Sequence, residues 1–131
     1  MLIKRKLLNN INNNFSILLF HGVVKDKKYL IRNYNNKHIL DIRFYKILKF
    51  LKKNGNAISI DEIVYYIKNN IKIPKNSFTI SFDDGFENNF SVAAPILDDL
   101  KIPSTFYFST DFVSNNSMSW IDKVEYCFEK D

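Results

Sequence analysis

Asp83, Asp84 and Gly85 stand in succession and are the residues of this chain with the clearest chemical potential. Two neighbouring carboxylates repel each other, so the pair is costly unless a cation or a proton is shared. Glycine in the third place lets the chain turn sharply and lets backbone come close to a ligand. Ahead of the pair, Phe78, Ile80 and Phe82 alternate with Ser77, Thr79 and Ser81, the period of two that marks a strand. The carboxylates therefore sit at a strand end, beside which α/β enzymes open their clefts. Asp-Asp-Gly is also a common solvated turn. The strand that runs straight into it, and the aromatic-rich segment that follows, favour a site.

Positioning these residues takes several elements. The run 16–20 (SILLF) reads as a buried strand that ends at His21, a second candidate site residue. Residues 25–37 are polar and Asn-rich, hence a loop. Asp41 can cap a helix to Asn54, with Phe44, Ile47, Leu48 and Leu51 as its buried stripe and Gly55 as its C-terminal stop. A short strand is expected over 57–60. Ser59 and Glu62 then make a capping box, and Ile63, Val64 and Ile67 give the following helix its apolar face, ended by Asn69 and Asn70. After Gly85, Phe90, Ala93, Ala94, Leu97 and Leu100 line a third helical face; Pro95 inside it means a kink or a late start. A strand over 104–108 (STFYF) closes at Asp111, and 120–130 forms a last helix in which Cys127 joins Ile121 and Val124 in the core. His38, near a helix start, is expected at the surface.

This alternation of strand and helix implies parallel strands with right-handed crossovers. His21, Asp83-Asp84 and Asp111 each follow the C-terminal end of a different strand, so all converge on one face of the sheet.

At 131 residues the chain has room for one domain. With 46% hydrophobic and 25% charged residues it is globular, and 12 Phe and 7 Tyr allow a core of few, large side chains. The net charge is +5, but the Lys residues are spread out. Lys46, Lys49, Lys52 and Lys53 form a solvated helical face, and no nucleic-acid motif accompanies them. One cysteine excludes an intrachain disulfide. The apolar run 15–20 is too short to span a membrane, and the Asn residues at 9, 10 and 12–14 destroy any signal-peptide core, so a cytoplasmic location is expected.

The stretch Ser81-Phe82-Asp83-Asp84-Gly85 resembles the first motif of the polysaccharide deacetylase domain (NodB homology, carbohydrate esterase family 4), with Ser81 where the family usually has Thr. Phe20-His21 resembles the opening strand end of that family, and Ser104-Thr105-Phe106-Tyr107-Phe108 resembles its Ala-Thr-Phe-Phe-Val strand. The resemblance implies an α/β fold, a partial (β/α)-barrel of the distorted seven-stranded type with about four strand–helix units. It implies metal-dependent removal of N-acetyl groups from an amino-sugar polymer. Asp83 would be the general base, Asp84 a ligand of a divalent metal such as zinc, and His21 an auxiliary site residue. The family draws its other metal ligands from a His-Ser/Thr-x-x-His motif. This chain has two histidines, His21 and His38, and lacks that motif. It reads as the N-terminal portion of one such domain, truncated and inactive alone, because barrels of this kind take about 250 residues. Unpaired strand edges, with Phe106 and Phe108 beside them, would then favour self-association. Two other readings stay open: a non-catalytic remnant or binding domain, and a Mg²⁺-dependent phosphoryl-transfer domain using Asp83, Asp84 and Asp111.

Overall fold

The computed structural model describes residues 15–25, 33, 36–115 and 117–129. The first strand, β1, is Phe15–Phe20, and the central strand, β5, is Ser77–Phe82. They pair in parallel along their whole length, from Phe15 opposite Ser77 to Phe20 opposite Phe82. The other edge of β5 is shared. Its start pairs with β4, Asn56–Ala57, and its end with β6, Ser104–Phe106, both in parallel. The carbonyls of Asn76 and Phe78 accept from Asn56 and Ile58, and that of Phe82 accepts from Tyr107. These carbonyls are two residues or a multiple of two apart, so they point to one side of the strand.

Parallel pairing is thus found throughout, but the simple alternation of strand and helix is not. Two three-residue strands, β2 (Gly22–Val24) and β3 (His38–Leu40), precede the first helix and form a parallel two-stranded sheet. Each is too short to show a hydrophobic period, so neither was legible. The strand expected over 57–60 stops at Ala57, because Ser59 caps the next helix and Ile60 is already its first residue. The strand expected over 104–108 stops at Phe106.

Helix α1, Asp41–Asn54, buries Phe44, Leu48 and Leu51. Asp41 lies inside its first turn, and Leu40 takes the cap position. Gly55 ends it with extended backbone, not a left-handed turn. Its glycine is needed for space, since a Cβ would run into the Asn76 carbonyl. Lys46, Lys49, Lys52 and Lys53 are all exposed, as expected of a solvated face, with Lys49 5.6 Å from the Tyr45 ring and Lys52 donating to the Leu100 carbonyl. Helix α2, Ile60–Lys68, has the expected capping box: Ser59 Oγ accepts the Glu62 N–H at 3.1 Å, and Glu62 Oε2 accepts the Ser59 N–H at 2.7 Å. Of its apolar residues only Ile63 is buried; Val64 and Ile67 are exposed.

Pro95 is accommodated by a wide turn, Asn89–Ala93, that leads into α3, Ala94–Asp99, whose first turn holds the proline. A proline there costs no helical hydrogen bond. Ala93, Leu97 and Leu100 are buried as expected, while Phe90 is 82% exposed. Two helices follow, α4 (Thr110–Asn115) and α5 (Trp120–Glu129). Cys127 is exposed on α5 and not in the core.

The core lies between the sheet and helices α1 and α3. Phe78, Ile80 and Phe82 pack there on Phe44, Leu48, Leu51, Leu97 and Ile102. Phe20, Phe44 and Phe106 surround Phe82, with centroid distances of 5.8, 5.9 and 4.9 Å. Phe106 is therefore half-buried against the core, contrary to the expectation of an exposed edge. The Ser77, Thr79 and Ser81 face of β5 is buried too, as suits a strand flanked on both edges. Ile17 and Leu19 lie on that same face, through their pairing with Thr79 and Ser81, and are exposed.

Candidate active site

The Asp-Asp-Gly turn is held by the ends of three strands. Asp83 donates its backbone N–H to the Phe20 carbonyl of β1 at 3.0 Å. Phe82 accepts from Tyr107, just past β6, at 2.8 Å. His21 follows Phe20 directly, so it leaves β1 beside the point where Asp83 leaves β5. The structure thus brings His21, Asp83 and Asp84 to one end of the sheet. Asp111 is different: its carboxylate accepts from Asn115 at 2.7 Å and from Ser117 at 2.9 Å, on its own turn. Those hydrogen bonds hold its carboxyl below the usual carboxylate range.

The turn itself is conformationally special. Asp84 has φ 71° and Gly85 has φ 72°. Asp tolerates the left-handed region better than most residues, and such outliers concentrate at functional sites. Glycine at 85 is required twice over, because a Cβ there would also collide with the Phe108 ring. Phe108 covers the turn on that side and is exposed on the other.

Several residues around the turn were not foreseen. Lys37, expected in a polar loop, places its Nζ 3.2 Å from Asp84 Oδ2 and 3.5 Å from Asp122 Oδ1 of α5. The same ammonium lies 4.8 Å from the centre of the Phe86 ring. Asp122 is oriented by Ser119, whose Oγ donates to Asp122 Oδ2 at 2.6 Å and accepts the Asp122 N–H at 3.1 Å. The Ser-x-x-Asp spacing before an apolar stretch was a readable sign of that cap. Nothing in the sequence pointed to its ion pair with Lys37.

His38 is half-buried, and not the surface residue expected. Its ring meets the Phe86 ring edge-on at 4.9 Å, and Nδ1 lies 3.4 Å from Asn88 Nδ2. A Cβ at Gly22 would collide with this imidazole, so glycine at 22 makes room for it. Asn88, buried, also accepts the Val23 N–H at 3.3 Å. Asn33 accepts the His38 N–H at 3.0 Å and donates to its carbonyl at 2.6 Å. Burial pushes the His38 imidazole below its ordinary 6.5; Asp122 opposes this, Lys37 and His21 add to it, and Asp84 opposes it weakly. The folded protein therefore binds this proton less readily than the unfolded chain. His38 contributes stability above about pH 6.5 that is lost as the pH falls below it. In urea titrations the midpoint should drop between pH 7.5 and 5.5, and by less in His38→Gln. Equal drops in both proteins would exclude His38 as the cause.

No family model matches the chain. Over 116 residues it is 32% identical to the poly-beta-1,6-N-acetyl-D-glucosamine N-deacetylase of several Staphylococcus aureus strains, a match that takes in 88% of this chain and 37% of that protein. The relatives of this chain are polysaccharide deacetylases. Solved deacetylase structures share its fold. A de-N-acetylase from Aggregatibacter actinomycetemcomitans aligns with a TM-score of 0.69 at 23% identity, over 80% of this chain and 42% of that one. IcaB from Ammonifex degensii aligns with a TM-score of 0.61 at 24% identity, over 72% and 38%. The chain thus spans little more than a third of the deacetylases it matches in sequence.

A metal at Asp84 is the part of the deacetylase resemblance that these residues do not complete. Among the described residues no three His, Cys, Asp or Glu side chains are grouped so as to hold a metal ion. The Asp84 carboxylate faces the Lys37 ammonium instead. Among the described residues, too, no helix is long and apolar enough to cross a membrane.

Proposed function

We propose that the chain is the N-terminal portion of a single polysaccharide deacetylase domain, and that it contributes to hydrolysis of the carbon–nitrogen bond of N-acetyl groups on an amino-sugar polymer. The observation that carries this reading is the Asp83-Asp84-Gly85 turn, anchored between the ends of β1, β5 and β6 with His21 beside it. The Staphylococcus aureus relatives, named as N-deacetylases of such a polymer, support the substrate class. The exposed Ile17 and Leu19 mark a sheet face that a further layer would cover, as in a partial or complete barrel.

In this reading Asp83 takes the proton of the attacking water as it adds to the amide carbonyl. The left-handed backbone falls on Asp84 and Gly85 and not on Asp83, which supports separate roles for the two carboxylates. His21 assists at the edge of the site. One or two carboxylates without imidazoles fill too few coordination positions, so the 131-residue chain binds a divalent metal weakly or not at all.

The Lys37–Asp84 ion pair favours a second reading, a non-catalytic domain that keeps the fold without the reaction. Acetate release from a polymer of N-acetylglucosamine separates the two. The 131-residue chain alone should release none. The same chain, fused to the portion of a Staphylococcus aureus relative that lies beyond the aligned region, should release it. A folded fusion without activity would favour the second reading.

A further inference from the structure

Three segments far apart in the sequence meet at one ammonium group. Lys37 precedes β3, Asp84 follows β5, and Asp122 lies in the first turn of α5. We propose that Lys37 is the resident cation of this site. Its ammonium holds the position on Asp84 that a divalent ion would need, and its bridge to Asp122 straps α5 to the Asp83-Asp84-Gly85 turn. The competition with a metal rests on the reading of Asp84 as a metal-binding carboxylate; the strap rests on geometry alone.

The ammonium is fixed from several sides. The Lys37 side chain is only 14% exposed, and those of Asp84 and Asp122 are 29% and 8% exposed. One face of the ammonium is taken by the Phe86 ring, which favours a cation. Asp122 Oδ2 is committed to Ser119, which leaves Oδ1 for Lys37. Two carboxylates so little exposed would repel each other without a cation between them. Removing the lysine would leave both aimed at one spot, a better cation site than either makes alone. A divalent ion that takes Asp84 must first displace Lys37, and would then stand between Asp84 and Asp122 in its place. Lys37 and a divalent ion therefore compete for one position between the same two carboxylates.

The test uses the 131-residue chain, Zn²⁺ alone as the probe, calorimetry for affinity, and hydrogen exchange over residues 119–129. Lys37→Met should bind Zn²⁺ at least tenfold more tightly than the wild type, and Lys37→Arg should resemble the wild type. Exchange in α5 should rise several-fold in Lys37→Met without metal. It should rise as well in Asp122→Asn, which cuts the same strap from the α5 side. Unchanged affinity in folded Lys37→Met, or α5 exchange that neither Lys37→Met nor Asp122→Asn moves, overturns the proposal. Asp84→Asn separates the two levels. If it abolishes Zn²⁺ binding while Lys37→Met gains nothing, Asp84 is a ligand and only the lysine proposal fails. If Zn²⁺ binding survives Asp84→Asn unchanged, the reading of Asp84 itself fails, and with it the competition.

Discussion

Asp83→Asn, in a fusion that releases acetate, should lower turnover by about 10²- to 10⁴-fold, the usual contribution of a positioned base. The substitution keeps the size and planarity of the side chain and cannot touch the backbone hydrogen bond to Phe20 that holds the turn. What it removes is the ability to accept a proton from water. The loss should therefore fall on kcat and kcat/KM together, with KM little changed, because substrate contacts persist. Denaturation midpoints should match those of the parent fusion. An unchanged rate would show that Asp83 is not the base. A rate loss accompanied by a large loss of stability would mean instead that the carboxylate supports the turn.

Phe82→Ala should destabilise the chain by about 3–5 kcal/mol, the range for emptying an aromatic site in a packed core. Phe82 is fully buried and lies against Phe20, Phe44 and Phe106, so its removal opens a cavity bordered by β1, α1 and β6 at once. Domains of this size are stable by about 5–15 kcal/mol, so the variant would lose a large share of its stability. It also sits directly before Asp83, and the turn should lose order with the core. Phe90→Ala is the matched control: its ring is 82% exposed, and the change should stay within about 0.5 kcal/mol. Urea unfolding followed by circular dichroism measures both. Similar midpoints for Phe82→Ala and the parent would mean that the core is not packed as described.

The elements whose signals are local were legible. The alternation through 77–82 revealed β5, the spacing of Phe44, Leu48 and Leu51 revealed α1, and Ser59 with Glu62 revealed the start of α2. Each depends on the twist and hydrogen bonding of a few neighbouring residues, which their order along the chain dictates. Where a local signal competed with another, the stronger one prevailed: the capping box took Ile60 from the strand expected there. Apolar side chains gave the weaker guide. Val64, Ile67, Phe90 and Cys127 sit at helical spacing, yet all are exposed, because a periodic stripe is buried only if something packs on it.

The candidate site divides along the same line. Asp83, Asp84, Gly85 and His21 could be read in advance, since a strand end followed by such residues is a feature of contiguous chain. Burial of His38 against Gly22, Phe86 and Asn88 could not, nor could the ion pairs of Lys37 with Asp84 and Asp122. Lys37 and Asp122 are separated by most of the chain, and each alone looks like an ordinary surface charge. Only the parallel packing of β1, β5 and β6, with the last helix returning to the turn, brings opposite charges close enough to replace the water each gives up.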